Sequence, residues 1–256
     1  MSVRWNDIFQ LPEAALAGGK RVPKAMLARQ AALTKREQRT LDKMRRLEHF
    51  ATVTKATTHM LPRVDDERDI QSVIFLRCEM AGGTQAVSEV AGLLHRCFPN
   101  PTVIMQEAGE SVCVSVSLTR KSHAERGATV IENIESTGLF DAADDAYAGF
   151  LETLAYYRLP QDDMWAYLQT MAWNVMLSRG IGALGFYPTC GRADRERMYS
   201  LVRSYESTQS EIKRLYEERR GDDVSLNESA KLRMRIRKME DERDTLANEI
   251  KEICHG

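Results

Sequence analysis

Long apolar runs are missing from this 256-residue chain: none approaches the ~18 consecutive residues of a membrane-spanning helix, so no membrane span is expected. The first ten residues hold Trp5 and Phe9 but no continuous apolar segment, so no secretory leader is expected and the cytoplasm is the expected compartment. Cysteine is sparse. Cys78, Cys97, Cys113, Cys190 and Cys254 are odd in number, far apart and without a Cys-x-x-Cys spacing, which argues against a disulfide framework. Histidine offers no ligand spacing either. His49, His59, His95, His123 and His255 are scattered, so neither a metal site nor a cofactor is expected. Glycine and proline number only 15 and 7, and with 43% hydrophobic and 29% charged residues the chain has the composition of a helix-rich folded protein.

What is present is pattern. Residues 1–19 lack periodicity and are expected to form an irregular lead ending at Gly18-Gly19. From Pro23 onward Met26, Leu27, Leu33, Leu41, Met44 and Leu47 recur at near-helical spacing, which predicts one or two basic amphipathic helices across 20–48. Phe50 to Met60 suits a short strand and Ile70 to Met80 a strong one. A helix with Val87, Val90, Leu94 and Phe98 on one stripe follows, and then a strand from Thr102 to Gln106. Val112, Val114, Val116 and Leu118 alternate with Ser111, Cys113, Ser115 and Ser117, the mark of a half-buried strand with one polar face. Thr129 to Ile134 adds another. Two helices are predicted beyond it, Asp144 to Tyr157 and Asp162 to Arg179, the second capped by Asp162.

In the last quarter Leu201, Tyr205, Thr208, Ile212 and Leu215 keep a 4-3-4-3 rhythm, and so do Leu232, Ile236, Met239, Arg243, Leu246, Ile250 and Ile253. These are the seams of a coiled coil. Gly221-Asp222-Asp223 lies between them, followed by Ser225 with Glu228 three residues on, a capping box that opens a new helix. The fold class expected is α+β: a mixed sheet of about four to five strands with flanking helices in residues 1–191, then an antiparallel helical hairpin in 192–256.

Charge is unevenly distributed although the net is only −1. Lys20, Arg21, Lys24, Arg29, Lys35, Arg36, Arg39, Lys43, Arg45 and Arg46 face only Glu37 and Asp42 in the same stretch, a local net of +8. Residues 51–190 carry ten basic against seventeen acidic groups. The ten cations are therefore the candidate nucleic-acid contacts, with docking onto the chain's own acidic domain as the competing use.

Catalytic signals are weaker. Gly180-Ile-Gly182-Ala-Leu-Gly185 matches a dinucleotide fingerprint, but a helix precedes it and Phe186-Tyr187-Pro188 follows, so it is expected to be a loop. Glu79, Glu107, Glu132 and Lys121 are the available pieces of a metal-dependent nuclease, though nothing in their spacing singles them out. No catalytic residue is assigned.

Three motifs occur in order: Lys20-Arg-Val-Pro-Lys24, the Lys55 to Leu61 segment before the first strong strand, and Val224-Ser-Leu-Asn227 opening the last helix. In these the chain resembles domain-of-unknown-function family 4391 over nearly its whole length. The resemblance implies a bacterial or archaeal protein often encoded beside DNA methyltransferases and helicases in anti-phage defence clusters, and it carries over no catalytic residue. Where family members have an aromatic-rich segment after the third strand, Ile131 to Phe140 holds no Trp. The function expected is an accessory subunit that docks a larger helicase, methyltransferase or ATPase through the hairpin and touches nucleic acid through the basic segment. A nuclease subunit and a homo-oligomeric structural protein are the alternatives.

Overall fold

The strong strand around Ile70–Met80 and the alternating one around Val112–Leu118 become lanes of one sheet, with the strand from Thr102 between them, in the computed structural model, which describes residues 3–125, 127–221 and 225–255. Asp222, Asp223 and Val224 of the predicted turn and motif lie outside that description. The chain divides into two units, residues 1–176 and 177–256. The boundary expected from sequence, after residue 191, falls inside the second.

The first unit runs α1 (Trp5–Phe9), β1 (Leu16–Arg21), α2 (Lys24–Gln30), α3 (Lys35–Asp42), β2 (Met44–Thr54), α4 (Lys55–Thr58), β3 (Arg63–Val64), β4 (Asp69–Ile70), β5 (Ser72–Met80), α5 (Val87–Arg96), β6 (Thr102–Ala108), β7 (Ser111–Lys121), β8 (Thr129–Ser136), β9 (Phe140–Asp141), α6 (Ala148–Glu152) and α7 (Met164–Ser178), whose last two residues belong to the second unit. Strands pair in the order β1-β2-β5-β6-β7-β8, with β9 extending the β8 lane along β7. All pairs are antiparallel except β5 and β6, which are parallel and joined by α5. That crossover is the strand, helix, strand unit predicted, and antiparallel strands flank it. The sheet has seven strands, more than the four to five expected, and β3 and β4 form a separate pair.

Two expectations for the N-terminal region are corrected. The lead is not irregular, because α1 buries Trp5 and Phe9 and β1 forms the sheet edge. The basic segment is not helical throughout: it is strand, helix, helix, strand, with residues 44–54 forming β2. The misleading spacing has a physical origin in a bulge. The β2 register against β5 shifts between Met44 and Arg46, so Met44 and Leu47, three apart, both enter the core beneath α2, α3 and α5. An extra residue in a strand thus imitates a helical step. The predicted helix from Asp144 to Tyr157 is also shorter, reduced to α6 between two 3-10 turns. Asp163 rather than Asp162 caps α7, its Oδ1 accepting from the Ala166 N–H at 2.8 Å.

One sheet face is covered by Leu27, Leu41, Val87, Val90, Leu93 and Leu94 from α2, α3 and α5. On the opposite face Phe9 meets Phe75 edge-on at 5.3 Å, and Phe140 meets Phe150 at 5.9 Å. The polar face of β7 lies under α5 rather than in solvent. His95, fully buried, is 2.5 Å from Thr102 Oγ1 through Nδ1 and 2.9 Å from Ser115 Oγ through Nε2, and Ser117 Oγ accepts from the Thr102 N–H at 2.9 Å.

The second unit holds α8 (Ile181–Leu184), α9 (Arg195–Arg219) and α10 (Leu226–His255). Helix α9 ends before Gly221, and α10 opens on the predicted capping box, Ser225 Oγ accepting from the Glu228 N–H at 3.3 Å while Glu228 Oε2 accepts from the Ser225 N–H at 3.0 Å. The helices run antiparallel. Arg197 near the start of α9 reaches Glu249 late in α10 at 3.8 Å, whereas Glu211, further along α9, meets Arg235 at 2.8 Å.

Candidate nucleic-acid interface

The basic segment begins on the edge strand. Lys20 and Arg21 sit opposite His49 and Glu48 on β2 and, by strand alternation, point to opposite faces of the sheet. Helix α2 starts immediately after Pro23, whose fixed φ suits a helix entrance, and anchors by Leu27. Helix α3 starts at a capping box in which Thr34 Oγ1 accepts from the Glu37 N–H and Glu37 Oε2 accepts from the Thr34 N–H at 3.0 Å. Those bonds from Thr34, with a smaller contribution from Arg96, hold the Glu37 carboxyl below its usual range. Buried Leu41 faces the core, and Lys35, Arg36 and Arg39 are left outside.

The ten cations separate into two groups. Lys24 approaches Asp42 at 3.9 Å, Lys43 bonds Glu89 at 2.5 Å, Arg45 pairs with Glu79, and Arg46 pairs with Glu48 at 2.5 Å. These four neutralise acids of the chain itself; Glu79 and Glu89 lie in the acidic stretch 51–190 from which the competing use was expected, whereas Asp42 and Glu48 lie outside it. Lys20, Arg21, Arg29, Lys35, Arg36 and Arg39 are exposed and make no ion pair among the described residues. Part of this charge has a structural use, since cationic side chains and the irregular register of β1 between Leu16 and Lys20 both discourage edge-to-edge pairing. That accounts for Lys20 and Arg21 but not for the four on α2 and α3.

Beside the edge lies a polar cleft that sequence reasoning did not assemble. Glu48 on β2, Arg77 and Glu79 on β5 and Glu107 on β6 project from one sheet face, with Trp5 of α1 against them. Arg77 forks onto Glu107, Nε to Oε1 at 2.7 Å and Nη2 to Oε2 at 2.8 Å, and its Nη1 lies 3.4 Å from Glu48; Trp5 Nε1 also donates to Glu107 Oε1 at 2.7 Å. The Arg45 hydrogen bond holds the Glu79 carboxyl below its usual range. Two hollows of about 330 and 570 Å³ meet at Arg77, and Gly18 and Gly19 form part of the wall of the larger. Both glycines have φ near +67°, a conformation that L side chains rarely adopt. The sequence signals for this cleft were Glu79, Glu107 and the strand predicted over Ile70 to Met80, because Glu48 and Trp5 come from elements that pattern misassigned or missed.

Of the four nuclease pieces, Glu79 and Glu107 are register partners on parallel strands, while Glu132 and Lys121 go elsewhere. Glu132 pairs with Arg68 at 2.8 Å, and Lys121 Nζ donates to the Asp65 carbonyl. Among the described residues no group of three or more His, Cys, Asp or Glu is arranged to hold a metal ion. The Gly180–Gly185 motif follows helix α7 and contains α8, so the strand that a dinucleotide site needs before it is absent there.

In the hairpin, Tyr205, Thr208, Ile212 and Leu215 of the predicted α9 seam are buried, but Leu201 is only half-buried and the seam begins instead with Met198 and Val202. On α10, Ile236 and Ile250 are buried, whereas Leu232, Met239, Leu246 and Ile253 are half-buried. Arg243 tolerates its seam position by bonding Asp244 at 2.6 Å.

The model of the family described as a domain of unknown function (DUF4391) matches residues 9–242, nearly the whole chain. No curated protein and no solved structure matches.

Proposed function

The chain belongs to the family described as a domain of unknown function (DUF4391), and from that premise we propose that it is a non-enzymatic accessory subunit of a prokaryotic anti-phage defence or DNA-modification system. In this reading the hairpin of α9 and α10 docks a larger helicase, methyltransferase or ATPase, and the surface of β1, α2 and α3 touches nucleic acid. The observation that carries it is the group of six exposed cations left without ion pairs after four others have met the acids of the same unit. A half-open α10 stripe and Met234, 76% exposed, support the docking part. The test is purification of the tagged protein from its native host, beside a chain ending at Gly191. The expected result is a helicase, methyltransferase or ATPase retained by the full chain alone; if neither form retains one, the docking part fails.

A second reading, a metal-dependent nuclease subunit, is favoured by the side-by-side placement of Glu79 and Glu107 in a cleft next to the cationic edge. Against it, Arg45 and Arg77 already occupy both carboxylates. Cleavage of DNA that requires a divalent metal and disappears with Glu107→Ala would replace the accessory reading with this one.

A further inference from the structure

At a helical rise of about 1.5 Å per residue, α2 is about 10 Å long and α3 about 12 Å, and only residues 31–34 separate them, so Arg29, Lys35, Arg36 and Arg39 are carried on two short consecutive helices, a span of a few base-pair steps each. Lys20, on the sheet face that α2 and α3 cover, extends this group to the β1 edge, whereas Arg21 points to the opposite face. Three of these five are arginines, whose planar forks suit paired phosphate oxygens.

The patch is also notable for what it does not contain. Between Phe9 and Phe50 the chain has no Phe, Tyr or Trp, and between Asn6 and Asn100 it has no Asn. Binding of single strands draws much of its affinity from bases stacked on aromatic rings, and α2 and α3 contribute none. Reading of base edges uses Asn, Gln or Arg placed to enter a groove. Gln38 is already committed, its Nε2 donating to the Leu33 carbonyl at 2.8 Å. Gln30 stays exposed next to Arg29 in α2, and the dense charge of α2 and α3, without an aromatic ring of their own, suits the ligand with the densest fixed array of phosphates.

We infer that the surface formed by Lys20, Arg29, Lys35, Arg36 and Arg39 binds the phosphate backbone of double-stranded nucleic acid in preference to single strands. The inference rests on the reading that this surface meets nucleic acid at all. Neutralising five duplex phosphates gives a slope of log affinity against log salt of about −4.5, so affinity falls about five-hundredfold between about 50 and 200 mM salt.

The test measures fluorescence anisotropy of the full chain with a mixed-sequence DNA duplex, a poly-dT strand of equal length and vesicles of anionic lipid. The quadruple variant Arg29→Gln, Lys35→Gln, Arg36→Gln and Arg39→Gln, checked by circular dichroism, is compared with the parent. The expected result is at least tenfold tighter binding of duplex than of poly-dT, with the variant's slope reduced to about −1. Equal or tighter binding of poly-dT, or vesicle binding as strong as duplex binding, overturns the inference. The poly-dT outcome leaves the nucleic-acid reading standing. Failure to bind either nucleic acid overturns both, and an unchanged salt slope in the folded variant overturns the residue assignment.

Discussion

His95 shows what burial does to a residue that sequence leaves neutral in meaning. With both ring nitrogens engaged by Thr102 and Ser115 and no access to solvent, its charged form loses hydration without gaining a counter-charge, and its pKa falls from 6.5 to about 3. The unfolded chain takes up a proton below pH 6.5 whereas the folded chain does not until about pH 3. Stability is therefore complete above 6.5 and is lost as pH falls through that window. Urea unfolding should show the parent losing about 2 kcal/mol more than His95→Gln between pH 7 and about 5; equal losses would mean that the ring is not held neutral. Desolvation acts in the same sense on Cys78, whose thiol is pushed up to about 12, as expected of a core side chain.

For the elements, the hairpin shows where a periodic pattern is reliable and where it drifts. Leu215 and Ile250 are fully buried as the rhythm predicts, while the α9 seam begins at Met198 and Val202 in place of Leu201. A straight helix advances 3.6 residues per turn, so a 3.5-residue seam slips from one residue to its neighbour near an end. Thermal or urea denaturation should find Leu215→Ala destabilising by about 2–5 kcal/mol. Met234→Ala, on the exposed side, should change stability by less than about 0.5 kcal/mol. Similar costs at both positions would mean that α10 is rotated from the orientation described. At β2 the failure has a different cause: the bulge places Met44 and Leu47 on one face, and no periodicity rule applied to a single strand reveals a bulge made with its partner.

Across the whole molecule, charge that nearly cancels in total is sorted by position. Four cations of the basic segment bind acids contributed by β2, α3, β5 and α5, which leaves a cationic edge beside a neutralised Arg and Glu cleft. If the hairpin serves a different partner rather than a second copy, light scattering of the purified protein should give the monomer mass both for the full chain and for a chain ending at Gly191. A full-length mass of two or more chains that falls to one on truncation would instead favour the homo-oligomeric alternative.

The hairpin, the strand, helix, strand crossover and β7 were legible because each depends on local periodicity, caps and turns over 10 to 30 consecutive residues. The ten cations were legible as composition, and the family resemblance as motifs in order. Tertiary structure alone decided which cations remain unpaired, because that depends on acids up to 46 residues away, as with Lys43 and Glu89. It alone assembled the cleft, where Trp5 meets Glu107 across 102 residues. It also covered the polar face of β7, since a strand's own sequence specifies which side chains share a face but not what packs over them.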